Sequence, residues 1–284
     1  MSRILVIGAK GMLGRDLTEV LRTSSFHDVI GWDIDEIDIG IEKDTVEKIS
    51  RLQPEIAINL AAFTNVDQCE SEPDKASAIN AEGTRHVVLG ALSCHAKVIY
   101  LSTDYVFDGN KKEPYVESDL PNPLNVYGRS KFRGERYVQE LTEDGLIVRT
   151  QWLFGKYGNN FVASILRQAR EKKELSIVND QTGSPTYTVD LAKAISVLIQ
   201  HDARGIFHVA NSDTCTWFVF ARSVLEFSGI TGVKVSPISS KELNRPAIRP
   251  PYSKFSCQKL KQVTGITLRP WSDAVKEYLH SLAE

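Results

Sequence analysis

The sequence lacks the features that usually mark secreted, membrane-spanning and nucleic-acid-binding proteins. Its four cysteines are far apart and form no C-x-x-C pair, so we expect reduced thiols in a cytoplasmic protein rather than a disulfide framework. No apolar run approaches the length of a membrane span, and the first one is too short to predict a signal peptide. The net charge is −2 and no basic stripe occurs, which gives no electrostatic reason to expect a nucleic-acid partner.

What the sequence does contain is a repeated alternation of two patterns. Short apolar runs such as "RILVIG", "EIAINLAA", "KVIYLST" and "GLIVRT" each end in a turn residue, as strands buried on both faces of a parallel sheet do. Stretches with helical periodicity lie between them, for example "MLGRDLTEVLR" and "EGTRHVVLGAL". The alternation predicts an α/β fold with a doubly wound parallel sheet of the Rossmann type.

The pattern changes near residue 150. Loop-rich stretches such as "GKYGNNF", "NDQTGSPTY" and "NRPAIRPPYS" follow, with helices among them. We therefore predict a dinucleotide-binding domain over residues 1–150 and a smaller α/β substrate-binding domain over 151–284. A strand at 175–179 is a candidate to return to the first sheet.

A glycine-rich turn joins the first strand to the first helix. In "VIGAKGMLGRDL" the three glycines are Gly8, Gly11 and Gly14. One permits a tight turn, the next lets the backbone approach a diphosphate, and the last lets the helix pack on the strand. The helix N-terminus then offers N–H groups to the phosphates. This context favours dinucleotide binding; the alternative is a tight turn without a ligand.

Two side chains near this turn bear on the choice of cofactor. Asp33 ends the second strand, 19 residues after Gly14, where an acid usually bonds the adenosine ribose and favours NAD. Lys10 lies in the turn itself and could accept a 2′-phosphate, so both NADH and NADPH stay open. Farther along, Ala61 and Ala62 are small enough for close approach of a cofactor, whereas Asn80 is interpreted as a helix-packing residue.

The residues that indicate catalysis lie in two later segments. "LSTDYVFDG" ends a strand, which places Ser102, Thr103 and Asp104 at the ligand-binding edge of the sheet. In "NVYGRSK", Tyr127 and Lys131 are four residues apart and share one helical face. A cation about 4 Å from a phenol would lower its pKa by at most about three. A tuned tyrosine could then protonate a carbonyl oxygen as hydride arrives, while Thr103 donates a second hydrogen bond.

Together these motifs resemble the extended short-chain dehydrogenase/reductase superfamily, with "YGRSK" matching its Tyr-x-x-x-Lys pattern. Within it, "STDYVFDG", "PLNVYGRSK", "GKYGNNF", "VNDQTGSPTY" and "RPPYSKF" resemble the dTDP-4-dehydrorhamnose reductase family over nearly the whole chain. The resemblance implies NADH- or NADPH-dependent reduction of the 4-keto group of dTDP-4-dehydro-L-rhamnose. The product would be a sugar donor for bacterial surface polysaccharide such as lipopolysaccharide.

The resemblance also implies residue roles. Thr103, Tyr127 and Lys131 match the catalytic triad. Further positions match cofactor-contacting stretches: Gly11, Met12, Leu13, Asp33, Asp38, Ile39, Ala62, Phe63 and Thr64. Five fall in substrate-facing motifs: Asp104, Trp152, Asn160, Gln181 and Arg249. Trp152 could wall the pocket, and Arg249 could pair with a diphosphate.

Alternatives stay open at this point. A non-catalytic cofactor-binding regulatory subunit resembles the same family, although the triad is intact here. An epimerase or dehydratase would use the same tyrosine and lysine, but a dehydratase would need an acid where Tyr105 stands. Some family members dimerise through magnesium held by glutamates, one of them in the first helix. Arg15 follows the third glycine here, so we expect no metal, and a homodimer is left open.

Overall fold

The computed structural model describes residues 2–24 and 27–282. Its strands are β1 (Arg3–Ile7), β2 (Asp28–Trp32), β3 (Ile56–Asn59), β4 (Lys97–Thr103), β5 (Leu146–Thr150), β6 (Leu153–Phe154), β7 (Glu174–Val178), β8 (Thr182–Gly183), β9 (Thr186–Tyr187), β10 (Gly205–His208), β11 (Cys215–Thr216) and β12 (Lys234–Ile238). Its helices are α1 (Met12–Ser24), α2 (Glu42–Leu52), α3 (Val66–Ser71), α4 (Pro73–Ala76), α5 (Gly83–Leu92), α6 (Val126–Leu141), α7 (Phe161–Glu171), α8 (Thr188–Gln200), α9 (Trp217–Phe227), α10 (Ser240–Leu243), α11 (Gln258–Thr264) and α12 (Trp271–Ser281). A π-helical turn (Ser77–Glu82) and a 3-10 turn (Asp104–Val106) lie between them.

The main sheet has the strand order β10-β5-β4-β3-β1-β2, and all neighbouring pairs are parallel. The predicted doubly wound parallel sheet is therefore confirmed. The chain runs from β1 outward to β2 and then crosses back to β3 on the other side of β1. Such a reversal opens a crevice at the carboxyl ends of the strands, which is where ligands bind in open α/β sheets.

Both faces of this sheet are buried, which explains the near-continuous apolar strands. Alternate residues of a strand point to opposite faces. Ile4 and Val6 of β1 pack in the cluster that contains α1 and α8 side chains. Leu5 and Ile7 pack on the other face, against Ile49 of α2. These layers hold the strand ends, and hence the site, in a fixed frame.

The expected return of the strand at 175–179 to this sheet is wrong. That strand, β7, pairs in parallel with β12 in a separate two-stranded sheet. The sixth strand of the main sheet is β10, which follows α8 and lies beside β5. Four residues that end in His208 carry little strand signal, and only their pairing with β5 makes them a strand. The main sheet thus includes a strand from beyond residue 150.

A second apolar core lies outside the main sheet. It is built from α7, α9 and α12, with Phe154, Phe220, Trp271 and Tyr278 among its buried side chains. Loops from this region reach the carboxyl edge of the main sheet, where the cleft described below opens. Among the helices that the structure describes, none is long and apolar enough to cross a lipid bilayer.

Candidate active site

A cleft of about 800 Å³ runs along the carboxyl ends of β1, β3, β4 and β5. Most residues predicted to bind the cofactor line it: Gly8, Lys10, Gly11, Met12, Leu13, Gly14, Asp33, Asp38, Ile39, Ala61, Ala62, Thr64, Tyr127 and Lys131. Thr103, Asp104 and Trp152 line the same cleft. The structure therefore brings these side chains together, and their individual roles in binding stay predictions.

The glycine turn has the close contacts that its spacing predicts. A Cβ on Gly14 would lie 2.1 Å from the Gly8 oxygen and 2.8 Å from the Ala9 Cα, so no larger residue fits there. Gly8 has a φ of +85°, and a Cβ on it would lie 2.9 Å from the Ala61 nitrogen. Because α1 begins at Met12, the turn presents the N-terminus of a helix to the cleft. These features fit the diphosphate of a dinucleotide.

Acidic side chains surround the far end of the turn. Asp33 accepts a hydrogen bond from the Lys10 backbone N–H at 2.9 Å. The Lys10 ammonium lies 2.6 Å from Asp35 and 3.2 Å from Glu36, and these carboxylates raise its pKa. Lys10 is therefore engaged by two acids in the ligand-free protein, and a 2′-phosphate would have to compete with them.

Asn80 joins the loop after β3 to α6, in agreement with its expected packing role. Its side chain accepts from the Phe63 N–H at 2.7 Å, donates to the Phe63 oxygen at 3.1 Å and donates to the Ser130 hydroxyl at 3.0 Å. Phe63 itself lies outside the cleft lining, and its ring packs under the Lys75 ammonium. Asn80 lies in the π-helical turn, a local distortion often found near functional sites.

The first turn of α6 places Tyr127 beside the end of β4. Asn125 caps the helix by accepting from the Gly128 N–H at 2.8 Å. A Cβ on Gly128 would lie 2.2 Å from the Tyr105 oxygen, so the helix packs directly on the 3-10 turn. The Tyr127 ring meets the Tyr105 ring edge-on at 5.6 Å. Local backbone packing therefore brings the phenol and Thr103 to one point.

Thr103 and Asp104 are both buried at this point. The Thr103 hydroxyl donates to the Asp104 carboxylate at 3.1 Å and accepts from the Tyr105 N–H at 3.2 Å. Burial raises the pKa of Asp104 to about 6, against hydrogen bonds from Ser253 and Thr103 that lower it. A carboxyl that changes charge near pH 6 in a cleft is typical of a functional site.

The expected lowering of the tyrosine pKa by Lys131 is wrong. Burial raises the pKa of Tyr127 well above its ordinary value, and its hydrogen bond with Thr103 only partly opposes this. The Lys131 ammonium lies over the Tyr100 ring, 4.1 Å from its centroid. A raised pKa keeps the proton on the phenol, which is the form that a proton donor needs.

Lys131 is held by a buried framework on α6. Its ammonium is almost fully buried, which lowers its pKa to about 7, and the charge of Glu135 one turn later opposes this. Glu135 makes a two-pronged ion pair with Arg149 of β5, with distances of 2.8 and 2.7 Å. This pair fixes α6 against the sheet and so fixes the position of the lysine.

Trp152 forms one wall of the cleft, as expected. Its φ of 48° is unusual for a bulky residue and indicates a conformation imposed by the surroundings. Its ring stacks on Trp217 at 3.6 Å between centroids. A Cβ on Gly183 would lie 2.6 Å from the Trp152 ring, so this glycine makes room for it.

Three residues predicted to face the substrate lie outside the cleft lining. Asn160 caps α7 by accepting from the Ala163 N–H at 3.0 Å. Gln181 accepts from the Trp217 indole N–H at 3.1 Å and donates to Ser240 at 2.8 Å. Arg249 is bound to Asp67, with distances of 2.5 and 2.9 Å. In this structure all three stabilise the protein's own loops and helices.

The sequence analysis missed several polar lining residues, chiefly Thr150, Gln151 and Asn159. Thr150 ends the strand "GLIVRT" and Gln151 directly follows it, so the rule that ligands meet strand ends could have identified them. Asn159 lies in "GKYGNNF", where the motif alone did not distinguish it from Asn160.

Comparison with known proteins agrees with this geometry. The model of the RmlD substrate binding domain family matches residues 1–284. The chain belongs to the RmlD family. The resemblance to dTDP-4-dehydrorhamnose reductases predicted from the motifs is thereby confirmed.

This chain matches related proteins over nearly the full length of both chains. The spore coat polysaccharide biosynthesis protein SpsK of Bacillus subtilis (strain 168) is 40% identical over 279 residues, which cover 98% of this chain and 97% of that one. The dTDP-4-dehydrorhamnose reductase of Aggregatibacter actinomycetemcomitans is 36% identical, with 97% and 98% covered. A crystal structure of dTDP-4-dehydrorhamnose reductase from Bacillus anthracis str. Ames in complex with NADP superposes with a TM-score of 0.95 at 39% identity, covering 99% of each chain.

Proposed function

We propose that this protein reduces the 4-keto group of dTDP-4-dehydro-L-rhamnose to give dTDP-L-rhamnose, with NADPH or NADH as reductant. The observation that carries the proposal is the meeting of Thr103, Tyr127 and Lys131 in one cleft with the Gly8–Gly14 turn. The similarity to reductases named for this reaction supports the same substrate class. The product would serve as a sugar donor for a surface polysaccharide.

Different residues of the cleft have different roles in the reaction. The Gly8, Gly11 and Gly14 backbone and the N-terminus of α1 hold the diphosphate of the cofactor. Lys131 holds the nicotinamide ribose and orients the ring. The bound nicotinamide supplies a hydride to the carbon of the sugar ketone. Binding in a buried cleft excludes water, which strengthens each polar contact with the reacting oxygen.

Tyr127 supplies the proton. As the ketone oxygen gains negative charge it becomes more basic than a phenolate, so a phenol with a raised pKa still gives up its proton to it. Thr103 donates a hydrogen bond to the same oxygen, which stabilises the charge before the proton arrives. Because the Thr103 hydroxyl donates to Asp104 in this structure, its proton must turn toward the ketone oxygen for this step.

Turnover with the keto-sugar tests the proposal. The protein is incubated with dTDP-4-keto-6-deoxyglucose, a matching 3,5-epimerase and NADPH or NADH, and the reduced-cofactor absorbance is followed. We expect absorbance loss that requires the epimerase and yields dTDP-L-rhamnose. The same rate without epimerase would indicate a different keto-sugar. Cofactor binding without consumption would indicate a regulatory subunit, and sugar conversion without net cofactor loss would indicate an epimerase or dehydratase.

We further propose a cytoplasmic protein, because Cys69, Cys94, Cys215 and Cys257 are free thiols. Cell fractionation tests this.

Sedimentation velocity with and without magnesium distinguishes a monomer from a homodimer. Arg15, where a metal-ligating acid was sought, donates to the Lys10 oxygen at 3.1 Å and lies over the Tyr157 ring.

A further inference from the structure

The cleft wall contains a buried amide whose donor side is unused. Gln151 directly follows β5, is 2% exposed and lines the cleft. Among the residues that the structure describes, its Nε2 is one of few buried side-chain nitrogens without a hydrogen-bond partner. A buried amide N–H₂ without a partner loses the hydrogen bonds that it would make to water, so its retention calls for an explanation.

The orientation of this amide is determined by its neighbours. The backbone N–H of Ser184 donates to the Gln151 Oε1 at 2.9 Å, and the Ser253 hydroxyl oxygen lies 3.2 Å from the same atom, with its single proton shared between this oxygen and Asp104. A backbone N–H is only a donor, so the atom facing it must be the oxygen and the nitrogen must face the other way. The Gln151 Nε2 is therefore a positioned donor.

The same neighbours place the amide on the substrate side of the cleft. Ser184 and Ser253 belong to segments that come together through the Ser253 N–H bond to the Thr182 oxygen, at 2.9 Å. Ser253 also hydrogen-bonds Asp104, which in turn accepts from catalytic Thr103 at 3.1 Å. Gln151 is thus three hydrogen-bond steps, through Ser253 and Asp104, from Thr103, the residue that meets the ketone oxygen.

We propose that the Gln151 Nε2 and the Asp104 carboxylate together recognise the ring hydroxyl next to the sugar ketone. The hydroxyl oxygen accepts from the amide, and its proton is donated to the carboxylate. A carboxylate accepts only, and an amide N–H₂ donates only, so the pair matches a group that does both. This inference rests on the proposed function, and it makes Gln151 a residue that selects the substrate.

The test compares two substrates on two proteins. Gln151→Met removes the donor and keeps a side chain of similar length. The two substrates are the 4-keto-sugar nucleotide with the hydroxyl beside the ketone and the analogue that lacks it. We expect wild type to prefer the hydroxylated substrate by roughly tenfold in kcat/KM, as one lost hydrogen bond implies. Gln151→Met should lose this preference while its affinity for NADPH stays within about twofold of wild type.

A second variant separates the donor from the loop contacts. Gln151→Glu keeps an oxygen for the Ser184 N–H and the Ser253 hydroxyl. We therefore expect it to fold even if Gln151→Met does not. It should likewise lose the preference for the hydroxyl. The matched control is Gln168→Met, because the Gln168 amide binds Ser164 on α7 outside the cleft lining. That control should keep the wild-type preference.

Several results would overturn the inference. If both Gln151 variants kept the wild-type preference for the hydroxylated substrate, the amide would be excluded as the group that recognises the hydroxyl. An equal loss on both substrates would make its role purely structural. A tenfold loss of NADPH affinity in the absence of sugar would assign the amide to the cofactor. No turnover of either substrate by wild type would instead overturn the proposed function, and this inference with it.

Discussion

The two halves of the cleft are built in different ways. The cofactor half centres on the backbone and small residues of one strand–turn–helix segment, Gly8, Gly11 and Gly14, and residues that follow β2 and β3 complete its lining. The substrate half is made of large side chains held by segments distant in the chain, such as Trp152 against Trp217 and Gln151 against Ser253. The centre of the first half is therefore local in sequence, whereas the second exists only when the chain is folded.

Substitution of Tyr127, which lies between the two halves, should have the largest effect on turnover. Tyr127→Phe removes the proton donor and leaves the ring, so we expect turnover to fall by about 10²- to 10⁴-fold. NADPH affinity, measured by fluorescence titration, should stay near wild type. Tyr137→Phe on the same helix, where the hydroxyl donates to Glu82 at 2.6 Å, is the control and should remain active. Full activity in the Tyr127 variant would contradict the mechanism.

A pair of glycine variants tests whether the cofactor half depends on backbone packing. A Cβ on Gly14 would lie 2.1 Å from a backbone oxygen, whereas one on Gly11 would lie 3.1 Å from the same atom. We expect Gly14→Ala to lower the Tm by several degrees, since its clash has no flexible partner. Gly11→Ala should fold normally but bind NADPH at least tenfold more weakly. Thermal melts and titrations measure both, and equal melting temperatures would argue against the packing role of Gly14.

The pH dependence should separate the two halves. Asp104 has a pKa of about 6 and Lys131 one of about 7. The carboxylate form of Asp104 increases as the pH rises through 6, and the ammonium form of Lys131 decreases as it rises through 7. We expect kcat/KM for NADPH, measured at sugar concentrations well below KM, to be bell-shaped, because it then reports the groups of the enzyme with neither substrate bound.

Variants assign the two limbs of that profile. Asp104→Asn should flatten the acid limb, although its maximum activity should also fall. Lys131→Ala should weaken both cofactor binding and turnover. An unchanged acid limb in the asparagine variant would assign that limb to another group.

Arg249 tests whether a predicted substrate residue has a structural role instead. Asp67 binds it with two hydrogen bonds, and the guanidinium lowers the pKa of Asp67. The stabilisation from a lowered carboxyl pKa is present above the ordinary value and is lost as the pH falls through the folded value. We expect Arg249→Met to lower the Tm by a few degrees at pH 7 and by less near pH 3. A large rise in KM without a loss of Tm would restore the diphosphate role.

The smallest effect concerns cofactor choice. Asp35→Asn removes one of the carboxylates that hold the Lys10 ammonium. The freed lysine could then meet a 2′-phosphate, so we expect the ratio of NADPH to NADH efficiency to rise a few-fold. Steady-state kinetics with each cofactor measures this, with Asp44→Asn on α2 as the control, since that acid pairs with Lys48. An unchanged ratio would mean that Lys10 takes no part in the choice.

The successes and errors of the sequence analysis follow the same division. The triad and the glycine turn could be found because strand ends and i, i+4 spacing set their positions locally. Asn160, Gln181 and Arg249 were placed at the substrate by motif resemblance, yet they contact Ala163, Trp217 and Asp67. A polar side chain in a loop motif can face either a ligand or its own chain, and the motif does not distinguish them.

The sequence by itself determined the alternation of strands and helices, the close-packed glycine turn and the pairing of Tyr127 with Lys131 on one helical face. These depend on interactions between residues close in the chain. Only the tertiary structure decided that β10 completes the sheet, that burial raises the pKa of Tyr127, and that the Gln151 nitrogen is buried without a partner while Ser184 binds its oxygen. The reason is physical: strand pairing, desolvation and side-chain orientation arise from contacts between distant segments, which no local pattern records.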